Sequence, residues 1–443
     1  METKDKNYFF LIAIHVLVGL IISFLPSFAT LYFILTVILS FYFVIKTQNK
    51  NNEVLYVSGY IVGSEVFFRM TNSSPSYEFG KYGVIFFSIL GMYYNGVSKK
   101  ATFIWIYLLL LLPGLILGAI DINLNSEARK ILVFNISGPI CLGFIALYCY
   151  NRKFTLDELS NLLLLVGLPI VTCVTYLFFK TPNIKELLVG TGSNNALSGG
   201  FGANQVATIL GLGMFIFVVR LIFNSKTKLM FIINLILSFY LAYRGFLTFS
   251  RGGMVTGIIM IIVFLGYIYL ISTNRLKAKL YYFIAFLVLI MGFVWTYTSI
   301  KTDGLIEKRY ANQDKRGRSK EDLTTGRSDL AALELELFYD NIIFGIGVGK
   351  GNEFRKEKFG IDIASHDEIT RTLSEHGIFG ILILIILIFT PIIFFFRNLN
   401  HIYLISFYLF WFFTINHAAM RTVSPAFFYG LTLLNIRKNK ENE

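Results

Sequence analysis

Charge is what this chain has least of. Only 15% of its 443 residues are Asp, Glu, Lys or Arg, where soluble domains carry about 25%. That excludes an ordinary water-soluble globule. Cysteine is equally sparse: the three present (Cys141, Cys149 and Cys173) all fall inside apolar runs. They show neither metal-ligand spacing nor a paired framework, which excludes a zinc module and a disulfide scaffold. There is no Asp-x-Asp pair of the kind divalent-metal chemistry on sugar nucleotides uses. The glycine-rich run IIFGIGVGKGNEF is not followed by the Lys-Ser/Thr pair of a phosphate loop, so it reads as a tight turn. No internal repeat and no inverted pair of broken helices marks a secondary transporter. The first apolar run, Tyr8 to Phe24, has no small-residue cleavage site and is expected to stay as a helix.

What the chain does have is long apolar runs. Hydrophobic residues make up 55% and aromatics 16%, with mean hydropathy +0.64. At about 20 residues per crossing, fourteen candidate spans follow (range 12–14): 8–24, 28–45, 54–70, 81–97, 102–120, 131–149, 160–179, 204–223, 229–246, 252–271, 280–298, 377–396, 401–416 and 422–436. The weakest are 54–70, with Glu65 and Arg69, and the short last two. With the N-terminus inside, every predicted inner connection is basic: Lys46/Lys50, Lys99/Lys100, Arg152/Lys153, Lys226/Lys228, Arg275/Lys277/Lys279, Arg397 and Arg437/Lys438/Lys440. Both termini are therefore expected in the cytoplasm. The net charge of +13 is spent on this orientation, and no nucleic-acid partner is expected.

One polar island breaks the pattern. Residues 299–376 hold thirteen Lys/Arg and fifteen Asp/Glu and cannot lie in hydrocarbon. The chain thus divides into spans 1–11 (1–298), a large outer loop (299–376), and spans 12–14 with a cytoplasmic tail (377–443). Within the loop, Leu330, Leu333, Leu337 and Phe338 recur at helical spacing and predict an amphipathic helix over 329–339, capped by Thr324 or Thr325. The expected fold class is all-α: a polytopic transmembrane bundle with one extracytoplasmic loop domain.

Charged groups near spans are costly and so are functional suspects. Glu65 and Arg69, four apart, read as a neutralising pair. Arg220 and Arg397 read as snorkelling, and His15 and His401 as structural. Arg244 and Arg251 differ. They flank the outer turn AYRGFLTFSRGG, where the positive-inside tendency places no arginine, and a pyrophosphate is the natural anion to justify them.

Four segments then come in a familiar order: GGFGANQVATILGLG, GFLTFSRGGMVTGIIMIIVFLG, TTGRSDLAALELELFYDNIIFGIGVG and SHDEITRTLSEHGIFGIL. Together, over about 195–395, they resemble the O-antigen polymerase and O-antigen ligase superfamily. The pattern His-(Asn/Ser/Gln)-x9-Gly-x-x-Gly is met by His366, Gly377 and Gly380, with Asp367 where Asn, Ser or Gln is expected. The resemblance implies a GT-C-like membrane glycosyltransferase working without metal or cofactor and with inversion on the extracytoplasmic side of a bacterial cytoplasmic membrane. Its donor would be a glycan on undecaprenyl pyrophosphate and its acceptor a second lipid-linked unit, with a flippase and a chain-length regulator as partners. Arg251, Arg327 and Arg244 would hold the pyrophosphate, and Asn204 and Gln205 would orient phosphate or sugar, unless Asn204 only caps its helix. His366, with Asp367 beside it, would act as base or as a pyrophosphate donor. A polymerase making O-antigen or capsule is the leading reading. A ligase acting on lipid A core is the alternative, and a flippase the alternative from another class.

Overall fold

The structure, a computed structural model, describes residues 3–120, 126–181, 183–320, 326–360, 365 and 367–437. Thr324, Thr325 and His366 lie outside the described residues. The chain forms two compact units, one from Met1–Tyr77 and Asp157–Glu321, the other from Glu78–Leu156 and Asp322–Glu443. The first unit opens with α1 (Thr3–Phe24), α2 (Phe28–Thr47) and α3 (Glu53–Met70). The second takes α4 (Phe79–Asn95), α5 (Thr102–Leu110), α6 (Leu112–Ile120), α7 (Ser126–Cys149) and the short strand β1 (Lys153–Thr155). Helices α8 (Leu156–Lys180), α9 (Ala203–Phe223), α10 (Lys228–Leu247), α11 (Arg251–Ile271), α12 (Asn274–Lys301) and α13 (Leu305–Tyr310) return to the first. The second ends with α14 (Arg327–Asp340), α15 (Gly351–Phe359), α16 (Glu368–His376), α17 (Ile378–Arg397), α18 (Leu404–Ala418), α19 (Ser424–Leu431) and β2 (Asn435–Arg437).

The fold is helical, as the apolar runs require. It departs from helix in the parallel pairing of β1 with β2. Among the described residues, ten helical stretches are long and apolar enough to cross a membrane, and they coincide with ten of the fourteen expected spans. The other four expected spans are helical but differ in kind. Helix α3 buries nearly every residue, and its Glu65 and Arg69 pair with each other inside the protein, so it is a core helix. Helix α4 has 17 residues. Helices α18 and α19 have 15 and 8 residues; at 1.5 Å per residue they extend about 22 and 12 Å, short of a 30 Å core. The run 422–436 is thus broken. Its last residues pair with β1, and Asn398 Nδ2 donates to Leu434 O at 3.0 Å.

In the second unit, Arg152 Nη2 donates to Gly96 O at 3.1 Å, and Asn151 N donates to Leu433 O at 2.8 Å. The basic connections beginning at Gly96, Arg152 and Arg397 therefore meet the strand that carries Arg437 at one end of the unit. Alternation of basic loops along the sequence assigned those four to one side.

In the first unit α9 is buried along almost its whole length and α11 lies against it. Glycine makes that crossing possible. A Cβ on Gly253 would sit 2.3 Å from Thr208 N, and one on Gly257 would sit 2.6 Å from Gly211 O. The Gly-Gly of the SRGG run is there for backbone contact.

Candidate active site

The close α9–α11 crossing sets the start of α11 beside the start of α9. Ser250 Oγ donates to Asn204 Oδ1 at 2.7 Å, so Asn204 joins the two helix starts instead of capping its own. The first amide of α9, Ala203 N, is met by Asn195 Oδ1 at 3.1 Å. The polar loop before α9 is tied to the α10–α11 turn, with Asn194 N donating to Thr248 O at 2.8 Å. In that turn Phe249 takes a left-handed conformation (φ 56°), unusual for a bulky residue. Its carbonyl accepts from Arg309 Nε at 2.9 Å.

Arginines gather around this turn. Arg244, in the last turn of α10 and 2% exposed, donates through Nη2 to Thr181 Oγ1 at 2.5 Å and Leu197 O at 3.3 Å. Among the described residues its Nε has no hydrogen-bond partner, and no carboxylate is among its partners. Arg251 is the first residue of α11 and half-buried. Tyr310 lies under the influence of both Arg309 and Arg251, and burial still raises its hydroxyl above the usual range. Arg309, buried and drawn from the polar island, has no sequence motif and was not foreseen. Gln205 is differently engaged: it accepts from Arg69 Nη1 at 2.9 Å and donates to Tyr77 Oη at 2.7 Å. Arg69 pairs with Glu65 at 2.7 Å, as its spacing predicts, and lies 3.8 Å over the Tyr77 ring.

The remaining candidates are in the second unit. Arg327 opens α14, half-buried. Asp367 is the N-cap of α16, its Oδ1 accepting from Ile369 N at 2.7 Å and Thr370 N at 3.3 Å. Burial raises its carboxyl against those two hydrogen bonds. Asp, Asn and Ser are all strong N-caps. An aspartate here therefore keeps the physical role that Asn or Ser would play.

Helix α16 carries a buried polar cluster that sequence reasoning passed over. Arg371 pairs with Glu368 and donates to Asn135 twice, to Oδ1 at 2.6 Å and to the backbone O at 3.3 Å. That carbonyl is available because Pro139, four residues on within α7, has no N–H to give it. Glu368 Oε2 also accepts from Met420 N at 3.1 Å. Glu375 accepts from Gly349 N at 2.9 Å; burial pushes its carboxyl up to about 7 despite Arg371, and pulls the His376 imidazole down to about 4. The cavity these residues line is only about 10 Å³, room for about one water, so no sugar binds there. The cluster holds α16 in place.

The glycine-rich turn belongs to the same frame. Gly345, Gly347 and Gly349 all have positive φ. The amides of residues 346–349 are used inside the protein, by Ser374 O, Glu375 O, Gly114 O and Glu375 Oε1. None of the four is left for a phosphate, which agrees with the tight-turn reading.

Residues 236–385 match the family model described as O-antigen ligase. The match covers about a third of the chain, and over that stretch the protein is similar to the O-antigen ligase family. No curated protein sequence matches it. The matched stretch takes in Arg244, Arg251, Arg309, Arg327 and Asp367, and leaves Asn204 and Gln205 outside. The family brings with it an O-antigen ligase- or polymerase-type membrane function in polysaccharide biosynthesis, enzymes of glycosyltransferase type, and lipid-linked glycan substrates. Among the described residues no group of His, Cys, Asp and Glu is arranged to hold a metal ion.

Proposed function

We propose that this protein is a polysaccharide polymerase that joins repeat units carried on undecaprenyl pyrophosphate, on the extracytoplasmic side of a bacterial cytoplasmic membrane. The observation that carries the reading is Arg244: a buried guanidinium with neutral oxygens for partners, on the turn that also presents Arg251 and touches Arg309. A buried cation without a carboxylate is costly, and an anionic ligand at the turn offsets that cost. An apolar cavity of about 600 Å³ among α1, α2, α3 and α8 is of ligand size and suits a lipid chain.

In the transfer, the acceptor hydroxyl attacks the anomeric carbon, the C–O bond to pyrophosphate breaks, and the configuration inverts. Arg251, with Arg327 and Arg244, neutralises the charge that develops on the departing pyrophosphate, and arginine does so as a fixed, bidentate cation. His366 takes the acceptor proton. Asp367, with Oδ1 committed to capping α16, holds the helix that follows His366. No metal or cofactor enters these steps.

A second reading, transfer of a finished glycan to lipid A core or another acceptor, is favoured by the description of the matched family. Glycan gels of a deletion strain separate the two: one repeat unit on core identifies a polymerase, and bare core a ligase. A wild-type ladder in the deletion strain contradicts both.

A further inference from the structure

Glu334 stands where helical periodicity calls for an apolar residue. The buried face of α14 is Leu330, Glu334, Leu337 and Phe338, and Glu334 is 1% exposed. Its carboxylate takes donors from two further segments. Arg355 Nη1 of α15 meets Oε1 at 2.8 Å, and Thr370 Oγ1 of α16 meets Oε2 at 2.6 Å. Ser365 Oγ lies 3.2 Å from the same Oε2 and accepts from Asp367 N at 3.3 Å. The Ser365 carbonyl in turn accepts from Arg421 Nη2 at 2.9 Å. Both chain neighbours of His366 are thus fixed through one carboxylate. That carboxylate sits two helical turns after Arg327.

A well-packed apolar side chain at 334 fills the stripe at lower cost than a buried ion pair. Burial holds the Glu334 carboxyl above its usual range in spite of Thr370 and Arg355, so the charge is a burden on the fold. What it supplies instead is geometry: one rigid acceptor reached by two hydroxyls and a guanidinium.

We propose that Glu334 is a positioning residue for the glycosyl transfer, fixing Ser365, Asp367 and the start of α16 at a set distance from the helix that begins at Arg327. The inference rests on the polymerase reading given above. It differs from charge balance in what matters: the reach of the side chain, not its charge. Glutamine keeps the reach and loses the charge. Aspartate keeps the charge and withdraws the oxygens by one methylene.

The test uses the full chain in proteoliposomes, with the undecaprenyl-pyrophosphate-linked repeat unit purified from a strain lacking this gene. Initial rates give kcat and KM, and thermal unfolding is followed on the same preparations. Glu334→Gln is expected to turn over within a few-fold of wild type. Glu334→Asp is expected to unfold near the wild-type temperature, with KM unchanged and kcat lower on the order of a hundredfold, the scale of a small misplacement of reacting groups. The reverse order, an active Asp variant and an impaired Gln variant, assigns Glu334 to balancing Arg355 and overturns the proposal. So does an Asp variant changed in KM alone. An inert wild-type protein instead removes the polymerase reading, and the proposal falls with it.

Discussion

Arg371 is held in a way that lysine cannot copy. Two nitrogens of its guanidinium reach the side chain and backbone of Asn135, and the backbone acceptor exists because Pro139 leaves it unbonded within α7. A single ammonium has no such fork. The neighbouring Glu375 gives the residue-scale prediction. Its folded-state carboxyl titrates near 7, above the unfolded value near 4.3. Its contribution to stability is therefore complete below that unfolded value and is lost as pH rises through about 7. The loss is of order 3 kcal/mol. Glu375→Gln keeps the oxygen that accepts from Gly349 and cannot ionise. It should unfold at a higher temperature than wild type at pH 8, with most of the gain gone at pH 5. A gain of equal size at both pH values means that folding does not raise the Glu375 carboxyl.

At the scale of elements, glycine spacing decides how close α9 and α11 come, and so where Arg251 sits relative to Asn204. Gly253→Ala places a methyl 2.3 Å from Thr208 N, which forces the helices apart. It should lower both the unfolding temperature and polymer yield. Gly266→Ala on the same helix meets nothing within 4 Å and should leave both unchanged. Equal effects would mean that the crossing is not tight.

Much at this scale was legible in the sequence. Runs of apolar residues marked the ten long helices, and the Leu330, Leu337 and Phe338 spacing marked α14. The charge at Glu334 hid its place on that same buried face, because a periodicity argument counts only apolar residues. The break between α19 and β2 was hidden for another reason. Its cause is the long-range partners Asn398 and β1, and the run 422–436 reads as continuously apolar without them. Arg309 sits in a run of charged residues, and its bond to Phe249 O is long-range and so invisible in the sequence. Asp367 departs from the family pattern, and its capping of α16 is a role that Asn or Ser can also fill.

For the whole molecule, sidedness is testable because the native cysteines are all buried. Single cysteines at Ser319 and Asn352 should react with an impermeant thiol reagent added outside intact cells. Those at Ser98 and Thr227 should react only after permeabilisation. Labelling of Ser319 only in permeabilised cells would put the polar island inside and remove the basis for every site assignment.

The most direct measurement of the central claim is polymerisation in proteoliposomes by the purified full chain, supplied with undecaprenyl-pyrophosphate-linked repeat units and chelator. Wild type is expected to produce a ladder. Arg251→Ala should be slower by about a hundredfold or more, the scale of one lost transition-state contact, and Arg251→Lys should recover only part, lacking the bidentate fork. A full ladder from Arg251→Ala, or none from wild type, contradicts the account.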